Sequence, residues 1–497
     1  MRGPSFVGPT SLVALGHPFA SSEAQQYPGV PLGINIRNGR LVMLDPWLLQ
    51  VTGVISATTV LILAQLKHGK SALVKMLAAR SYMLSMGYSI MRIAINDYKP
   101  EDSSSEYGAL AKFFESKPFT MRDMRVNPFE RRLFLNSNDS HDAYELGLLG
   151  IAQLLCEYDA TEMNEIERYA MRIAMYGMIS QGNDLTWSPE KLQRIAGSLQ
   201  PATMEGYHDV LDAKLVAQVE ENLRRVGDPE IQQHIRAEIK ELVSIKRNVP
   251  FGVIRDAGIR VEARLGNLLE GPLGGMFGAK NSLYDTLTQR AVNKDWRGMN
   301  PKAETLMRML DTQIKIMAGE LNRKDLLPHI EIDDEQHRAM SNLQYARQRA
   351  YFTEIARGMH TLHMGVTHSF DSIRQGGVDS EQFRLGEKII RNTGLFMYGR
   401  LDEASAREVQ AREHISDVDR MMLTALPKRT FGFKLGDNEF MQFVRVVATP
   451  LERATLIDSN SATRGIVQRP TLDSPNDMLA FANANGLEYI GIPTPQE

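Results

Sequence analysis

The chain has 497 residues, of which 57 are Lys or Arg and 60 are Asp or Glu, so its formal net charge at pH 7 is −3. This length allows one large domain with an insertion, or two domains. The balanced charge argues against a protein that binds nucleic acid or a membrane surface through bulk charge, although a local basic patch is compatible with it. The single cysteine, Cys156, excludes an intramolecular disulfide and is typical of a reducing compartment, so we expect a cytoplasmic protein.

Two early segments have some of the apolar character of membrane signals. Residues 1–22, MRGPSFVGPTSLVALGHPFASS, contain one arginine and apolar patches broken by prolines and glycines, which is unlike a signal peptide. The uncharged stretch Leu48–Leu66 is long enough to span a bilayer, but it contains six Thr, Ser and Gln residues and runs directly into Gly-Lys-Ser. A loop followed by a buried strand, TTVLILA, explains this stretch better than a transmembrane helix does.

The segment around Gly69-Lys70-Ser71 is predicted to be strand, turn, helix and strand. Before it, GINIRNGRLVMLDPWL predicts a β-hairpin with Arg-Asn-Gly in its turn. The strand TTVLILA leads into the turn, a helix is predicted over Ser71–Met86 with Gly87 at its end, and the strand YSIMRIAIND follows. This order is a βαβ unit, whose right-handed crossover implies a parallel sheet, so the predicted fold class is α/β.

The remainder of the chain alternates between helical and α/β patterns. Charged helical periods from about Tyr144 to Val261 predict an inserted helical subdomain. A Gly-rich loop, a strand at RAVNKDW and a helix over Pro301–Leu321 follow, and the last third again alternates strands and helices. We therefore predict five successive segments. They are an N-terminal extension (1–32), a first core segment (33–143), the helical insertion (144–262), a second core segment (263–460) and a C-terminal tail (461–497).

The Gly-Lys-Ser sequence predicts a phosphate-binding loop. The usual pattern G-x-x-x-x-G-K-[ST] would begin with Ala64 in place of its first glycine, which costs roughly 1 kcal/mol if that residue needs a positive φ. Loop amides and the helix N-terminus would bind phosphates, Lys70 would reach the β- and γ-phosphates of ATP, and Ser71 would bind Mg²⁺. The predicted nucleotide-binding residues are Ala64, Gln65, Leu66, Lys67, His68, Gly69, Lys70, Ser71 and Ala72.

A second strand that ends in acids would complete such a site. LLPHIEIDDEQH supplies one, in which Asp334 would hold Mg²⁺ through water and Glu335 would orient and polarise the attacking water. In an alternative register Asp333 takes the magnesium position and Asp334 becomes the catalytic acid. A helix that begins with acids is a further alternative. His368, after the strand LHMGVT, is positioned either to contact the γ-phosphate or simply to begin a polar loop.

Seven segments of the chain follow one another in an order found in one family. They are PGVPLGINIRNGRLVMLDPW, AQLKHGKSALVKMLAAR, AINDYKPEDSSSEYGALAKFF, VNPFE, IDDEQH, ARGMHTLHMGVTHS and RTFGFKLGDNEFMQFVRVVATPLE. In this order they resemble the ATPase domain of the VirB-type ATPases of type IV secretion and conjugation systems, relatives of the FtsK/HerA motor ATPases. The likeness runs from about Gly29 to Ile457. In the third segment, Asp97, Glu106 and Tyr107 match a D-P-x-G-E-Y pattern that an insertion interrupts.

The chain departs from the family pattern at three places. Ala64 replaces a glycine, His368 replaces a glutamine, and the loop from Asp97 to Glu106 is longer than usual. The family's large N-terminal domain is also expected to be absent, with a separate chain in its role. These departures bear on the efficiency of hydrolysis more than on nucleotide binding.

The resemblance implies a RecA-like P-loop NTPase core with a mostly parallel sheet, a β-rich hairpin at its start and an inserted helical subdomain. It implies Mg²⁺-dependent hydrolysis of ATP by a homo-hexamer, within a secretion or conjugation complex at the inner face of the membrane. Sites would lie between subunits, where an arginine of a neighbour stabilises transition-state charge. Arg357, Arg391 and Arg400 lie in the appropriate part of the chain.

Two other functions are compatible with the same residues. One is a HerA- or FtsK-like motor that translocates DNA, which basic loops facing a ring pore would favour. The other is a nucleotide-binding scaffold with little or no turnover. DNA stimulation with a steep salt dependence would distinguish the first from a secretion motor, and turnover would distinguish the second.

Overall fold

The computed structural model describes most of the chain, with gaps. The described residues are 29–86, 92–98, 100–101, 104–128, 150–158, 162–180, 248–277, 289–321, 329–356, 358–435, 441–449 and 452–453, with single residues at 199, 213, 233, 236, 283, 286 and 456. Most of the predicted N-terminal extension, the predicted C-terminal tail, Gly87 and Arg357 lie outside these residues.

The strands and helices follow one another as the α/β pattern predicts. The strands are β1 Val30–Asn35, β2 Leu41–Leu44, β3 Thr59–Leu63, β4 Arg92–Asp97, β5 Pro100–Glu101, β6 Ser104–Ser105, β7 Lys117–Thr120, β8 Ala291–Asp295, β9 His329–Asp334, β10 Thr361–Thr367, β11 Leu395–Tyr398, β12 Thr430–Phe433 and β13 Gln442–Val446. The helices are α1 Pro46–Val51, α2 Lys70–Met86, α3 Gly108–Phe113, α4 Glu165–Ser180, α5 Phe251–Glu270, α6 Pro301–Leu321, α7 Leu343–Ile355, α8 Glu381–Arg391, α9 Glu403–Glu413 and α10 Asp417–Ala425.

One eleven-stranded sheet has the order β2-β1-β13-β12-β11-β3-β10-β9-β4-β8-β7. The seven strands from β11 to β7 are parallel, and β12, β13, β1 and β2 extend this part as antiparallel neighbours. Because β10 and β9 lie between β3 and β4, α2 packs across them on its way from one strand to the next. The predicted mostly parallel α/β sheet, with an antiparallel hairpin at its start, is therefore confirmed.

The sequence missed helix α1, which follows the first hairpin. Asp45 caps this helix, since its carboxylate accepts hydrogen bonds from the backbone N–H of Trp47 at 2.9 Å and of Leu48 at 3.3 Å. Asp before Pro46 is a recognisable helix start, which our hairpin prediction passed over. The stretch Leu48–Leu66 therefore holds the end of α1, a turn and β3. Among the described residues, no helix is both long and apolar enough to cross a bilayer.

Alternation along β9 assigns its side chains to two faces of the sheet. Ile330 and Ile332 belong to the same buried cluster as the inward side chains of α2, β3 and β10. Since neighbouring strand residues point to opposite faces, Glu331 and Asp333 face away from α2. Both are buried, at 2% exposure, so this face of the sheet carries charged groups under a covering layer. This buried charged face explains why the sequence of β9 is unusually polar for a central strand.

The chain divides into two compact units, 1–123 with 286–305 and 323–497, and 124–285 with 306–322. The first unit holds every strand of the eleven-stranded sheet. In the second unit the described residues are mainly helical, and Glu167 of α4 accepts hydrogen bonds from Arg260 Nε at 2.9 Å and Arg264 Nη2 at 3.2 Å on α5. The boundaries 144–262 for a helical insertion stay a prediction, and many of those residues lie outside the described part.

Candidate nucleotide-binding site

Five neighbouring parallel strands end at one edge of the sheet, and the segments that follow them form the site. Residues 64–69 follow β3, the turn at Glu335 follows β9, His368 follows β10, Arg400 follows β11, and the segment to Tyr107 follows β4. The carboxyl edge of a parallel sheet is the usual place for ligand sites in α/β proteins.

The loop between β3 and α2 has the backbone conformation of an anion cradle. Lys67 has a φ of 63° and Gly69 a φ of 94°, immediately before α2 begins at Lys70. Left-handed residues of this kind turn successive amides towards one point, and the N-terminus of the 17-residue helix α2 adds its own partial positive charge. The geometry of residues 64–71 therefore suits a phosphate group.

The alanine at the first position of the loop has a local explanation. Ala64 is not among the residues with positive φ, so the expected cost of about 1 kcal/mol does not arise. A Cβ built on Gly399 would lie only 2.5 Å from the Ala64 Cβ. The glycine after β11 thus leaves the space that the alanine methyl occupies, and a methyl group at both positions would not fit.

Two other segments hold the loop from outside. The backbone N–H of Gln65 donates to the carbonyl of Arg400 at 2.9 Å, and that of Arg429 donates to the carbonyl of His68 at 3.0 Å. Burial, and then the positive charges of Arg400, Lys428 and Lys70, lower the pKa of His68. The loop therefore lies in a cation-rich surrounding that favours an anionic ligand.

The Lys70 side chain is buried inside the loop. Its ammonium donates to the carbonyl oxygens of Ala64 at 2.6 Å and Gln65 at 3.3 Å, and it lies 2.9 Å from His368 Nδ1. The other ring nitrogen of His368, Nε2, lies 3.4 Å from Glu335 Oε1. His368 therefore joins the loop lysine to the acid after β9, which places three residues predicted from sequence in one cluster.

Glu335 has an unusual backbone conformation at the end of β9. Its φ of 59° and ψ of 42° are left-handed, which for a residue other than glycine costs of order 1 kcal/mol or more and is most often found at functional sites. The next side chain, Gln336, is fully buried and fills the space beside Gly365, where a Cβ would lie 1.9 Å from its Oε1. His337 Nε2 lies 3.4 Å from the second carboxylate oxygen, Oε2, of Glu335. This packing holds the carboxylate in place.

The two aspartates at the end of β9 point to different partners. Asp334 is 1% exposed and accepts a hydrogen bond from the Tyr107 hydroxyl at 3.2 Å, on the side of α2. Asp333 lies on the opposite face, where its carboxylate is 3.7 Å from Arg349 Nη2 and 3.8 Å from His363 Nε2. Asp334 therefore lies on the side of α2, as the first register requires, and the role of each aspartate stays a prediction.

The Ser71 hydroxyl acts on the same phenol and lowers the pKa of Tyr107 against the larger rise that burial and the neighbouring acids cause. The loop hydroxyl and the strand carboxylate therefore both interact with Tyr107. Hydroxyl and carboxylate oxygens are hard donors that suit Mg²⁺, which takes most of its remaining ligands from phosphates and water. The described residues contain no cluster of three or more His, Cys, Asp or Glu side chains that would hold a metal by themselves. Ser71 and Asp334 therefore fit a cation that is bound together with a nucleotide.

Sequence reasoning assigned no role to Tyr107 or Asp97. The insertion after β4 forms the small antiparallel hairpin of β5 and β6 and then returns to the sheet. There the backbone N–H of Tyr107 donates to Asp97 Oδ2 at 3.0 Å. The signal in the sequence was the match of these two residues to the D-P-x-G-E-Y pattern, which does not indicate which groups they contact.

The predicted trans-acting arginines occupy different parts of the fold. Arg391 lies in the last turn of α8, before the amino end of β11, and is therefore at the sheet edge opposite the loop of its own chain. Its side chain is 78% exposed and lies 4.0 Å from Glu387. Arg400 is exposed at the same edge as the loop. Arg357 lies outside the described residues, and an action of any of the three on a neighbouring subunit stays a prediction.

Comparison with solved structures identifies the fold. The chain is similar to VirB4 of Thermoanaerobacter pseudethanolicus, with a TM-score of 0.55 and 15% sequence identity over 87% of this chain and 100% of that chain. A weaker match, with a TM-score of 0.45 and 12% identity over 86% of this chain and 90% of that chain, is the plasmid coupling protein TrwB in complex with a non-hydrolysable ATP analogue. No protein-family model and no curated protein sequence matches the chain. The similarity to VirB4 confirms the fold implied by the sequence.

Proposed function

We propose that this chain is a Mg²⁺-dependent ATPase that powers a type IV secretion or conjugative transfer apparatus. The fold shared with VirB4 supports this proposal. The observation that carries it is the hydrogen bond from the Tyr107 hydroxyl to Asp334, together with the action of the Ser71 hydroxyl on the same phenol. It supports an arrangement in which the hydroxyl at the start of α2 and the acid at the end of β9 share one cation, as the hydrolysis of a nucleoside triphosphate requires.

The other residues of the site have defined roles in this proposal. The loop amides and Lys70 hold the phosphates, and Lys70 exchanges its contacts with the loop carbonyls for contacts with phosphate oxygens. Mg²⁺, when bound, supplies positive charge beside the transferred phosphoryl group. Glu335 orients the attacking water and accepts its proton. His368 contacts both Lys70 and Glu335. It therefore couples Lys70, which binds the phosphates, to Glu335, which is the base.

The proposal includes an assembly. The working form is a homo-hexamer bound peripherally to a membrane complex at its cytoplasmic face, with an arginine of one subunit acting at the site of the next. Such an arginine contributes about 10³ to 10⁵ in rate in related phosphoryl transfers. Arg357, Arg391 and Arg400 are the candidates.

Substitution Glu335→Gln tests the proposal. It keeps the length of the side chain and removes the negative charge, so turnover of ATP should fall by at least about 10²-fold, the usual contribution of a general base. Nucleotide binding should survive because it depends on Lys70, Ser71 and the loop amides. ATP would then persist, and the assembled ring should become more stable. Steady-state hydrolysis and binding of a fluorescent ATP analogue measure the two effects separately.

The matched control is Glu403→Gln, which removes a glutamate charge that pairs with Arg407 and Arg420 on the protein surface and should leave turnover unchanged. Unchanged turnover in Glu335→Gln would refute its role as the base. Wild-type protein that binds ATP without hydrolysing it would be a scaffold. Stimulation by DNA with a steep salt dependence would instead indicate a DNA-translocating motor.

A further inference from the structure

Tyr107 occupies a central position among groups that carry charge. Its side chain is fully buried, and its hydroxyl donates to Asp334 Oδ2 at 3.2 Å. The rest of the residue is held independently of that hydroxyl. Its backbone N–H donates to Asp97 Oδ2 at 3.0 Å, and the ammonium of Lys75 lies over its ring, 5.3 Å from the ring centre. A phenol anchored in this way has a fixed position for its oxygen.

The hydrogen bonds of this phenol have a defined direction. An ionised carboxylate only accepts, so the Tyr107 hydroxyl donates to Asp334. Burial, and then the charges of Asp334, Glu106 and Asp97, raise the pKa of Tyr107 well above 10, so the phenol keeps its proton at neutral pH.

Both oxygens of the Asp334 carboxylate are held by hydrogen bonds. Oδ2 accepts from the phenol at 3.2 Å, and Oδ1 accepts from the backbone N–H of Glu335 at 3.1 Å. The carboxylate is therefore oriented before any cation binds.

We propose that Tyr107 is a positioning residue for Mg²⁺, which orients the Asp334 carboxylate through the hydrogen bond that its hydroxyl donates. This inference rests on the proposed function, since it concerns the same site. The lengthened loop after β4 pairs with itself in the hairpin of β5 and β6, and Asp97 then accepts the backbone N–H of Tyr107.

Tyr107→Phe is the direct test, because it keeps the ring and removes only the hydroxyl. Binding of a fluorescent ATP analogue is titrated with MgCl₂ in the full-length protein. The free Mg²⁺ concentration for half-maximal enhancement should rise about 10-fold or more, the usual effect of removing a group that orients a metal ligand. Affinity for the analogue in EDTA should not change.

Tyr398→Phe is the matched control. Tyr398 is also fully buried, and its hydroxyl donates to a carboxylate, that of Glu413, at 2.8 Å, but it contacts neither Ser71 nor Asp334 in the described structure. This control should leave the Mg²⁺ midpoint unchanged even if it lowers thermal stability. A change that both variants share would therefore reflect the general loss of a buried hydrogen bond.

Several results would overturn the inference. An unchanged Mg²⁺ midpoint in Tyr107→Phe would show that the hydroxyl does not orient the Asp334 carboxylate, and a lower midpoint would show that it competes with the cation. If Tyr107→Phe does not fold, Asp97→Ala replaces it. That variant removes the acceptor of the Tyr107 N–H and should raise the midpoint in the same direction, and an unchanged midpoint would again contradict the inference. Wild-type protein that binds no ATP analogue would refute the proposed function instead.

Discussion

The adjacent residues Asp333 and Asp334 should give opposite phenotypes when each is changed to asparagine. Asp334 faces Tyr107 and the phosphate loop, whereas Asp333 faces the buried Arg349 on the other side of the sheet. Asp334→Asn removes a charge that would bind Mg²⁺. Asp333→Asn removes a charge that compensates a guanidinium with an exposure of only 1%. The first change should therefore affect function, and the second should affect stability.

The size of the stability effect follows from the surroundings of Arg349. Removal of one partner from a buried ion pair usually costs about 3–5 kcal/mol. The Asp333 carboxylate is 3.7 Å from Arg349 Nη2, near the limit of an ion pair, and Glu331 also favours the charged guanidinium. Burial and Arg349 lower the pKa of His363, so its neutral ring can accept from Arg349 at 2.5 Å. We therefore expect a loss of about 3 kcal/mol, at the low end of that range.

Asp334→Asn should have a much smaller effect on folding. An asparagine oxygen can still accept from the Tyr107 hydroxyl, and the change reduces repulsion with the nearby Asp97, which acts on the same phenol. We expect the unfolding free energy to change by less than about 1 kcal/mol, as for a replacement that keeps its hydrogen bond. Enhancement of nucleotide affinity by Mg²⁺ should be largely lost, because the carboxylate is one of the two proposed protein ligands of the cation.

Both variants are tested in two assays. Urea denaturation measures their stability, and titration of nucleotide binding with Mg²⁺ measures their dependence on the cation. Asp333→Asn should unfold at a lower urea concentration and keep the wild-type Mg²⁺ midpoint. Asp334→Asn should do the reverse. Each variant is the control for the other, since both replace a buried aspartate by its isostere. A stable Asp333→Asn that has lost Mg²⁺ dependence would refute the assignment of faces and favour the alternative register.

Two further predictions concern the phosphate loop. Lys70→Ala should abolish binding of the fluorescent nucleotide while the surface variant Lys388→Ala binds normally, and unchanged affinity in Lys70→Ala would mean that the Gly-Lys-Ser sequence is accidental. Gly399→Ala should weaken nucleotide binding at least several-fold, because its new methyl would lie 2.5 Å from the Ala64 Cβ and displace the loop. Ala64→Gly in the same chain should restore part of the affinity, and no recovery in the double variant would contradict the steric explanation.

Local patterns in the sequence determined most of the sheet. A strand, Gly-Lys-Ser and a helix in succession predict the loop because each element depends on neighbouring residues, and the confirmed hairpin at the start of the sheet has the same basis. The alternation of Ile330, Ile332 and Asp334 also indicates that these three side chains share a face. Helix α1 was missed although its start is local, because we assigned its aspartate and proline to the hairpin instead of to a helix cap.

Only the tertiary structure decided which groups meet. Helix α2 follows the phosphate loop and crosses over β9 and β10, which are far from it in sequence. This crossover places Asp334 on the same face of the sheet as the phosphate loop. The hydrogen bond of Tyr107 to Asp334, and the space that Gly399 leaves for Ala64, have the same origin. The periodicity of apolar residues in the sequence indicates which face of its own helix or strand a residue lies on. The partner on that face is set by the packing of elements against each other, and no local pattern contains it.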